Sequence, residues 1–443
     1  MKSYGTRIKK EKKREIETSL PVHSPEKPVL SFSGINVEGR PDSLCFIEEV
    51  LDKNTLFVGP MGCGKTNCLN AALMQITSCS NGAPVVVADV KGDYSELLEK
   101  HNIPAVYLGI HDYDNAWNQF EDFLAWDDGT LESAELRAEE FAQEIFFPQR
   151  SQSAPYFADA AAILFGCLLK SMLREAAETG DRSRLNNAAL KEALLTMKYE
   201  DWVAMLDSYE DFGYALSILN GGEETSRDAN GVLSEIAIVT NKIYTGAFAK
   251  KGSFSPVRFI KSRKGRILVL RSDTSLEERA LPVMSVVLNS MLRALGSRNA
   301  SANGACFILD EFGRIPNVTS LETALSLLRG KNVRLLAGMQ ITGQMERQKT
   351  SDIMPRSLLD LFTNIVYMGG SGESLRYFQQ RCGDRQTVRS IICPDGSIQS
   401  QIIFRPAVEA EDVMQMKKGD AYVQISDSSK VFYFHFTRYL PQT

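Results

Sequence analysis

The fold is decided by residues 57–66, which read Phe57-Val58-Gly59-Pro60-Met61-Gly62-Cys63-Gly64-Lys65-Thr66 and match the pattern G-x-x-x-x-G-K-[ST]. An apolar run precedes this motif and a helix-forming run follows it, which is the strand, loop and helix context of a phosphate-binding loop. The glycines remove Cβ atoms that would keep successive backbone NH groups away from phosphate oxygens. The predicted nucleotide-binding residues are Gly59, Pro60, Met61, Gly62, Cys63, Gly64, Lys65, Thr66 and Asn67.

Two side chains at the end of this loop carry its chemistry. We expect Lys65 to reach the β- and γ-phosphates of ATP, and the Thr66 hydroxyl to take one coordination position on Mg²⁺. Cys63 has two interpretations. Its thiol either faces solvent, where the helix amino terminus and Lys65 would stabilise the thiolate, or packs against the sheet as a small apolar group.

A second motif lies far downstream, where the apolar run Ala305 to Leu309 is followed by two acids. This is a Walker B pattern, in which Asp310 would hold hydrated Mg²⁺ and Glu311 would orient and polarise the attacking water. The apolar run from Val333 to Gly338 leads to Gln340, whose amide is placed to sense the γ-phosphate. Together with the phosphate-binding loop, these residues predict a Mg²⁺-dependent ATPase.

The arrangement of strand and helix patterns predicts an α/β fold with an insertion. The β-branched run Pro84 to Asp89 is typical of a buried parallel strand, and polar residues follow it at the edge where ligands bind. From about 150 to 255 strand signals nearly vanish and helical patterns succeed one another. We therefore predict a flexible basic arm at 1–28, a P-loop ATPase domain with a predominantly parallel sheet at 29–150 and 256–443, and an inserted all-α domain at 151–255.

Composition limits the remaining possibilities. With a net charge of −5, the protein lacks the overall positive charge typical of nucleic-acid-binding proteins, so any contact with nucleic acid must be local. The best apolar run, Ala160 to Leu169, is shorter than the ~18 residues of a membrane helix, and we interpret it as a buried helix. The eight cysteines form no C-x-x-C pair, a pattern that indicates reduced thiols, as in cytosolic proteins. The four histidines lack the spacing of metal ligands, so the sequence predicts no zinc site.

Four stretches together resemble one protein family. The segment Ile308-Leu309-Asp310-Glu311-Phe312-Gly313-Arg314-Ile315-Pro316-Asn317 is similar to the Walker B segment of type IV secretion coupling proteins, the VirD4/TraG/TraD group of conjugative ATPases. Three further stretches agree with that likeness, and they are Asp89 to Asp93, Arg329 to Arg334, and Gly369 to Glu373 leading into Gly383-Asp384.

The resemblance implies a RecA-like motor domain with an inserted all-α domain, assembled as a homohexamer. Such proteins use ATP to feed DNA, or protein linked to DNA, toward a secretion channel. By this likeness Gln340 is the motif glutamine and Arg329 is the candidate arginine finger that reaches a neighbouring subunit's nucleotide, with Arg334 as runner-up. The predicted catalytic residues are Lys65, Glu311, Gln340 and Arg329.

The same likeness implies particular partners and a location. The expected partners are DNA of unknown strandedness, a relaxase or other secretion substrate, and a membrane subunit of the secretion channel. The family's usual amino-terminal membrane helices and acidic carboxyl-terminal tail have no counterpart here. We therefore expect a cytoplasmic protein without a transmembrane helix, held peripherally at the membrane by a partner.

Two other functions remain open on the sequence alone. One is an ATP-gated adaptor that presents a relaxase or effector to a channel without pumping. The other is a cytosolic DNA translocase of the FtsK/HerA type, against which the long helical insertion between the two Walker motifs argues.

Overall fold

The computed structural model describes most of the chain, with gaps. The described residues are 28–79, 82–126, 129–151, 155–219, 227–262, 265–297, 304–315, 318, 320–321, 328–340, 359–392, 397–426 and 431–439. Nearly all of the predicted basic arm lies outside them, as do Pro316, Asn317 and residues 393–396.

The sheet is built mainly from short strands that are buried on both faces. In chain order the strands are β1 (Leu30–Asn36), β2 (Pro41–Phe46), β3 (Thr55–Val58), β4 (Val85–Asp89), β5 (Ala105–Leu108), β6 (Ile267–Arg271), β7 (Ala305–Leu309), β8 (Val333–Met339), β9 (Asn364–Tyr367), β10 (Asp384–Ile392), β11 (Ile398–Pro406), β12 (Asp420–Gln424) and β13 (Val431–Phe436).

Helices cover the sheet and fill the long connection between β5 and β6. In chain order they are α1 (Glu48–Leu51), α2 (Lys65–Cys79), α3 (Asp93–Lys100), α4 (Gln119–Phe123), α5 (Leu131–Phe146), α6 (Pro155–Thr179), α7 (Asn187–Thr196), α8 (Tyr199–Asp207), α9 (Gly213–Leu219), α10 (Arg227–Ile243), α11 (Pro256–Lys261), α12 (Glu277–Gly296), α13 (Glu373–Cys382) and α14 (Ala410–Met414).

Among the described strands, eleven form one sheet in the order β2-β1-β13-β12-β9-β3-β8-β7-β4-β6-β5. The seven strands from β9 to β5 pair in parallel, and the four at the other end pair antiparallel. The predicted α/β fold with a predominantly parallel sheet is therefore confirmed. Strands β10 and β11 form a separate antiparallel pair.

The antiparallel end of the sheet contains a strand pair that the sequence analysis did not predict. In β1, Leu30 and Phe32 are buried while Ser31 and Ser33 are more exposed. In β2, Leu44 and Phe46 are buried on either side of a more exposed residue. These four apolar side chains join the core on one face of the sheet. Alternation over so few residues is a weaker signal than a continuous apolar run.

In its described residues, the connection between β5 and β6 consists of helices joined by loops, with one isolated β-bridge. Its apolar side chains form one continuous core with α12 and one face of the sheet, in which Phe141 packs against Phe165 and Trp117. Helices α4, α5 and α11 extend this region beyond the predicted interval on both sides. The interval 151–255 itself stays a prediction.

The longest helix, α6, is apolar enough to resemble a membrane span. It is the one described helix whose length and hydropathy suit such a span, but 67% of its most apolar 18-residue window is buried. Helices α5 and α10 pack along it. The protein core thus accounts for its apolar surface, in line with its interpretation as a buried helix.

A buried carboxylate ties the two ends of the helical connection together. Asp122 in α4 accepts hydrogen bonds from the Trp117 indole Nε1 at 2.8 Å, the Val257 amide at 3.0 Å and the Ser255 hydroxyl. Burial raises the pKa of Asp122 to about 6, although these three hydrogen bonds act to lower it. Trp117 also forms a parallel bridge with Phe254. The entrance and exit of the helical region are therefore joined side by side.

Replacing this carboxylate should destabilise the protein. In Asp122→Ala two buried N–H donors lose their acceptor at about 1–3 kcal/mol each, so the free energy of unfolding should fall by roughly 3 kcal/mol. Urea unfolding measures the change, with Asp207→Ala at the exposed end of α8 as the control. Equal stability of the two variants would contradict the role of Asp122 as a tie.

Candidate active site

The phosphate-binding loop connects β3 to α2 as the sequence predicts. Gly62 and Gly64 have φ values of 78° and 119°, which a residue with a Cβ rarely adopts. Gly59 is confined for another reason, because a Cβ there would lie 2.7 Å from the Cys63 sulfur. A cleft of about 980 Å³ opens over residues 61–67. The loop therefore borders a space of the size that small ligands occupy.

The Lys65 ammonium lies within the curve of the loop. Its Nζ donates hydrogen bonds to the carbonyl oxygens of Gly59 at 2.7 Å and Pro60 at 3.0 Å, and the residue is 5% exposed. Carbonyl oxygens can offset the desolvation of a buried cation. The structure thus places this positive charge at the start of α2, where the backbone dipole also favours an anion.

The two predicted metal ligands lie in direct contact. The Thr66 hydroxyl donates a hydrogen bond of 2.8 Å to Asp310 Oδ2, and the buried Tyr94 hydroxyl donates one of 3.2 Å to the same oxygen. The Glu311 amide donates to Asp310 Oδ1 at 2.9 Å. Both carboxylate oxygens are thereby fixed at the carboxyl edge of the sheet.

This oxygen pair suits a hydrated magnesium ion better than a metal held wholly by protein. In the described part of the chain, no cluster of three or more His, Cys, Asp or Glu residues is placed to hold a metal ion. Mg²⁺ is commonly bound through one or two protein oxygens, with water and phosphate oxygens completing its octahedron. Thr66 and Asp310 fit that form of binding.

Glu311 occupies an unusual backbone conformation beside the predicted magnesium pair. Its φ of 54° is left-handed, and the residue is 2% exposed. Oε1 accepts hydrogen bonds from Lys91 Nζ at 2.5 Å and Gln340 Nε2 at 2.6 Å, while the buried Oε2 has no partner among the described residues. Burial acts to raise the pKa of Glu311, but the hydrogen bonds from Lys91 and Gln340 outweigh it and lower the pKa.

The loop after β4 is organised by Asp89. Its carboxylate accepts hydrogen bonds from the Gly92 amide at 2.8 Å and from the Ser95 amide and hydroxyl at 2.9 and 2.7 Å. Gly92 has a φ of 90°, so a side chain there would strain the turn. Asp89 therefore shapes the loop, and Lys91 at its tip extends toward Glu311.

Sequence reasoning assigned no role to Lys91 or Tyr94, although both contact the Walker B acids. The available signal was the group of polar residues at the end of a buried strand, on the edge where the other site residues gather. It also missed Gly338 on β8, where a Cβ would lie 2.5 Å from Asp310 Oδ1.

Three residues predicted to bind nucleotide differ in what their side chains contact. Met61 is 77% exposed at the tip of the loop. Cys63 is 8% exposed, with its sulfur beside Gly59 and 3.9 Å from Lys65 Nζ, so its thiol is buried and not turned to solvent. The Asn67 side chain accepts a hydrogen bond from the Tyr439 amide at 3.1 Å and thus anchors the carboxyl-terminal segment.

The two arginines named by resemblance lie at the opposite edge of the sheet. Arg329 belongs to the short helix Leu328–Lys331 before β8, where the structure describes its backbone but not its side chain. Arg334 Nε donates to Asp52 at 2.7 Å, and its guanidinium lies 3.4 Å from Glu48. Burial opposes the charge of Arg334, yet these two carboxylates raise its pKa. Arg334 is therefore engaged within its own chain.

Residues 42–437 match the sequence model of one family, described as "Type IV secretion-system coupling protein DNA-binding domain". The chain belongs to this family. The match runs along the chain from β2 to the end of β13, which includes the whole helical connection but not β1. The residues that match the family model therefore include both Walker motifs and the helical region.

Solved structures share the fold of this coupling protein at low sequence identity. TrwBΔN70 in its unbound monoclinic form has a TM-score of 0.70 at 16% identity, covering 92% of this chain and 89% of its own. TrwB in complex with ADP and Mg²⁺ has a TM-score of 0.69 at 16% identity, covering 94% and 90%. VirB4 of Thermoanaerobacter pseudethanolicus has a TM-score of 0.54 at 12% identity, covering 94% and 98%. A comparison with curated proteins finds no match.

A single methyl group on β8 should disturb the Walker B acid. In Gly338→Ala the added Cβ overlaps Asp310 Oδ1, so the free energy of unfolding should fall by about 1–3 kcal/mol. Gly330→Ala is the control, because a Cβ at that exposed glycine meets no atom within 4 Å. Urea unfolding of both variants tests the placement of Asp310, which an unchanged Gly338→Ala protein would contradict.

Proposed function

We propose that this coupling protein binds Mg²⁺-ATP at residues 59–67 and hydrolyses it to recruit DNA, or a nucleoprotein, and translocate it to a type IV secretion channel. The hydrogen bond between Thr66 and Asp310 is the observation that carries this proposal. It brings the end of the phosphate-binding loop against the Walker B acid, which is the arrangement that a nucleotide-bound magnesium ion requires.

Each polar group at this edge has a distinct task in hydrolysis. The backbone NH groups of the loop and the Lys65 ammonium would hold the phosphates, and Thr66 and Asp310 would hold hydrated Mg²⁺. When bound, the ion neutralises charge on the phosphate oxygens. The buried Oε2 of Glu311, which has no partner within the described ranges, would accept a hydrogen bond from the attacking water.

The family description names DNA binding and therefore supports DNA as a partner. With a net charge of −5, any DNA contact would be local, as in the lining of a channel. A homohexamer would form such a channel. We place the protein in the cytoplasm, peripheral to the membrane through a channel subunit, with a relaxase or another secretion substrate as its cargo.

Removing Lys65 should abolish hydrolysis. Lys65→Ala deletes the charge that opposes the phosphates, so turnover should fall by at least about 100-fold. The measurement is phosphate release with single-stranded DNA, double-stranded DNA or neither, alongside the wild-type protein. Wild-type turnover in Lys65→Ala would show that this loop is not catalytic, and a wild-type protein inactive under every DNA condition would contradict the proposed function.

A Glu311→Gln variant separates pumping from presentation. Loss of the carboxylate should reduce turnover by about 10²- to 10⁴-fold while nucleotide still binds. If hydrolysis drives transfer, delivery of the secretion substrate to recipient cells should fall with turnover. Full delivery by this variant would instead support an ATP-gated adaptor.

Subunit mixing tests Arg329 as an arginine finger. A finger in trans contributes roughly 10³-fold or more to turnover, so Arg329→Ala should be nearly inactive alone. Adding Lys65→Ala subunits should restore some activity, because a mixed interface pairs an intact loop with an intact Arg329. If the ATPase activity of the mixture never exceeds the summed activities of the two variants measured separately, under conditions where subunits exchange, this assignment is rejected.

A further inference from the structure

Lys91 is placed by the sheet beside a residue far from it in sequence. Strand β4 pairs in parallel with β7, with Ala88 opposite Leu309, so the loops that follow the two strands leave the sheet side by side. Asp89 then fixes the path of the first loop through its hydrogen bonds to Gly92 and Ser95. The position of Lys91 relative to Glu311 is therefore set by backbone structure.

Contacts around Glu311 distinguish its two carboxylate oxygens. Lys91 Nζ and Gln340 Nε2 both donate to Oε1, at 2.5 and 2.6 Å. Oε2 is buried and accepts no hydrogen bond from the described residues. The Lys91 side chain remains one-third exposed and lines the cleft over the phosphate-binding loop. One oxygen is thus held by two donors and the other is left for a further ligand.

We propose that Lys91 is a positioning residue for hydrolysis, which fixes Oε1 of Glu311 so that Oε2 faces the attacking water. This inference rests on the proposed ATPase function. In hydrolysis the water oxygen bonds to the γ-phosphorus, the bond from that phosphorus to the bridging oxygen breaks with its electron pair staying on ADP, and one water proton passes to Oε2 and from there to solvent. Oε2 is the acceptor toward which that proton points.

Two physical requirements explain why a cation serves this purpose. A buried carboxylate is costly unless it is paired, and a charge-assisted hydrogen bond is stronger and more directional than a neutral one. Glu311 also holds a left-handed backbone conformation, which a non-glycine residue keeps only when its surroundings constrain it. Lys91 and Gln340 approach from the ends of two different strands and supply that constraint.

A direct phosphate contact by Lys91 is the competing interpretation. The structure favours positioning, because the Lys91 ammonium is bonded to Glu311 while the Lys65 ammonium already lies inside the phosphate-binding loop. The two roles differ in what they predict. A phosphate contact strengthens nucleotide binding, whereas positioning of Glu311 affects turnover alone.

The kinetic test compares Lys91→Met with Lys91→Arg. In Lys91→Met, kcat should fall by about 10- to 100-fold, while KM and the dissociation constant of a fluorescent ATP analogue change less than about twofold. Lys91→Arg should recover most of kcat, since it restores a donor to Oε1. The matched control is Lys170→Met, which removes another lysine–glutamate pair, in which Lys170 Nζ lies 2.7 Å from Glu139 Oε1 in the helical region. This control should leave basal turnover unchanged.

Several kinetic outcomes would overturn the inference. A rise in KM and in the dissociation constant that matches the loss of activity would assign Lys91 to the phosphates. An increase in kcat would mean that Lys91 restrains Glu311. Failure of Lys91→Arg to recover turnover would show that an ion pair to Oε1 is not what matters.

A second measurement needs no hydrolysis and therefore separates this inference from the proposed function. The changes in denaturant midpoint in Lys91→Met, Glu311→Gln and the double variant should be non-additive, because each single change removes the same ion pair. Additive midpoints would overturn the contact itself, even in an active enzyme. If the midpoints of the variants are coupled but the wild-type protein shows no ATPase activity, the proposed function is rejected, and the hydrolytic role of Lys91 with it.

Discussion

The hydrogen bond from Thr66 to Asp310 joins residues 244 positions apart, and the candidate site depends on it. It forms because β3 and β7 lie two strands apart, with β8 between them, and all three run in the same direction. Their carboxyl ends therefore meet at one edge. The intervening strand must then present no Cβ at Gly338, since the Asp310 carboxylate occupies that space. Strand order, strand direction and one glycine together create the contact.

Much of this arrangement could be predicted because its signals are local. Continuous apolar runs marked the buried parallel strands, and the glycines before Lys65 marked the loop between strand and helix. The β1–β2 pair was missed because its apolar positions alternate over few residues, while Gly34 packs so closely on β13 that a Cβ would lie 2.2 Å from the His435 carbonyl. That approach is a property of the folded sheet and leaves no local pattern.

The contacts of Lys91 and Tyr94 could not be predicted for a different reason. Each partner lies more than 200 positions away, so the pairing follows from which strands become neighbours. A polar residue after a strand indicates the edge of the sheet but not the atom that it contacts. The same limit applies to Asn67, which lies in the predicted nucleotide-binding segment yet anchors Tyr439.

The tie between the two ends of the helical region has a mechanical consequence. Asp122 and the Trp117–Phe254 bridge hold the incoming and outgoing chain together, and β5 and β6 on either side of them are hydrogen-bonded neighbours. A pull on the helices is therefore shared by two adjacent strands and is not concentrated on one. Because the two ends are tied to each other before they reach the sheet, a protein of this design can bear a pull on its helices without that pull peeling the edge strand β5 away from β6.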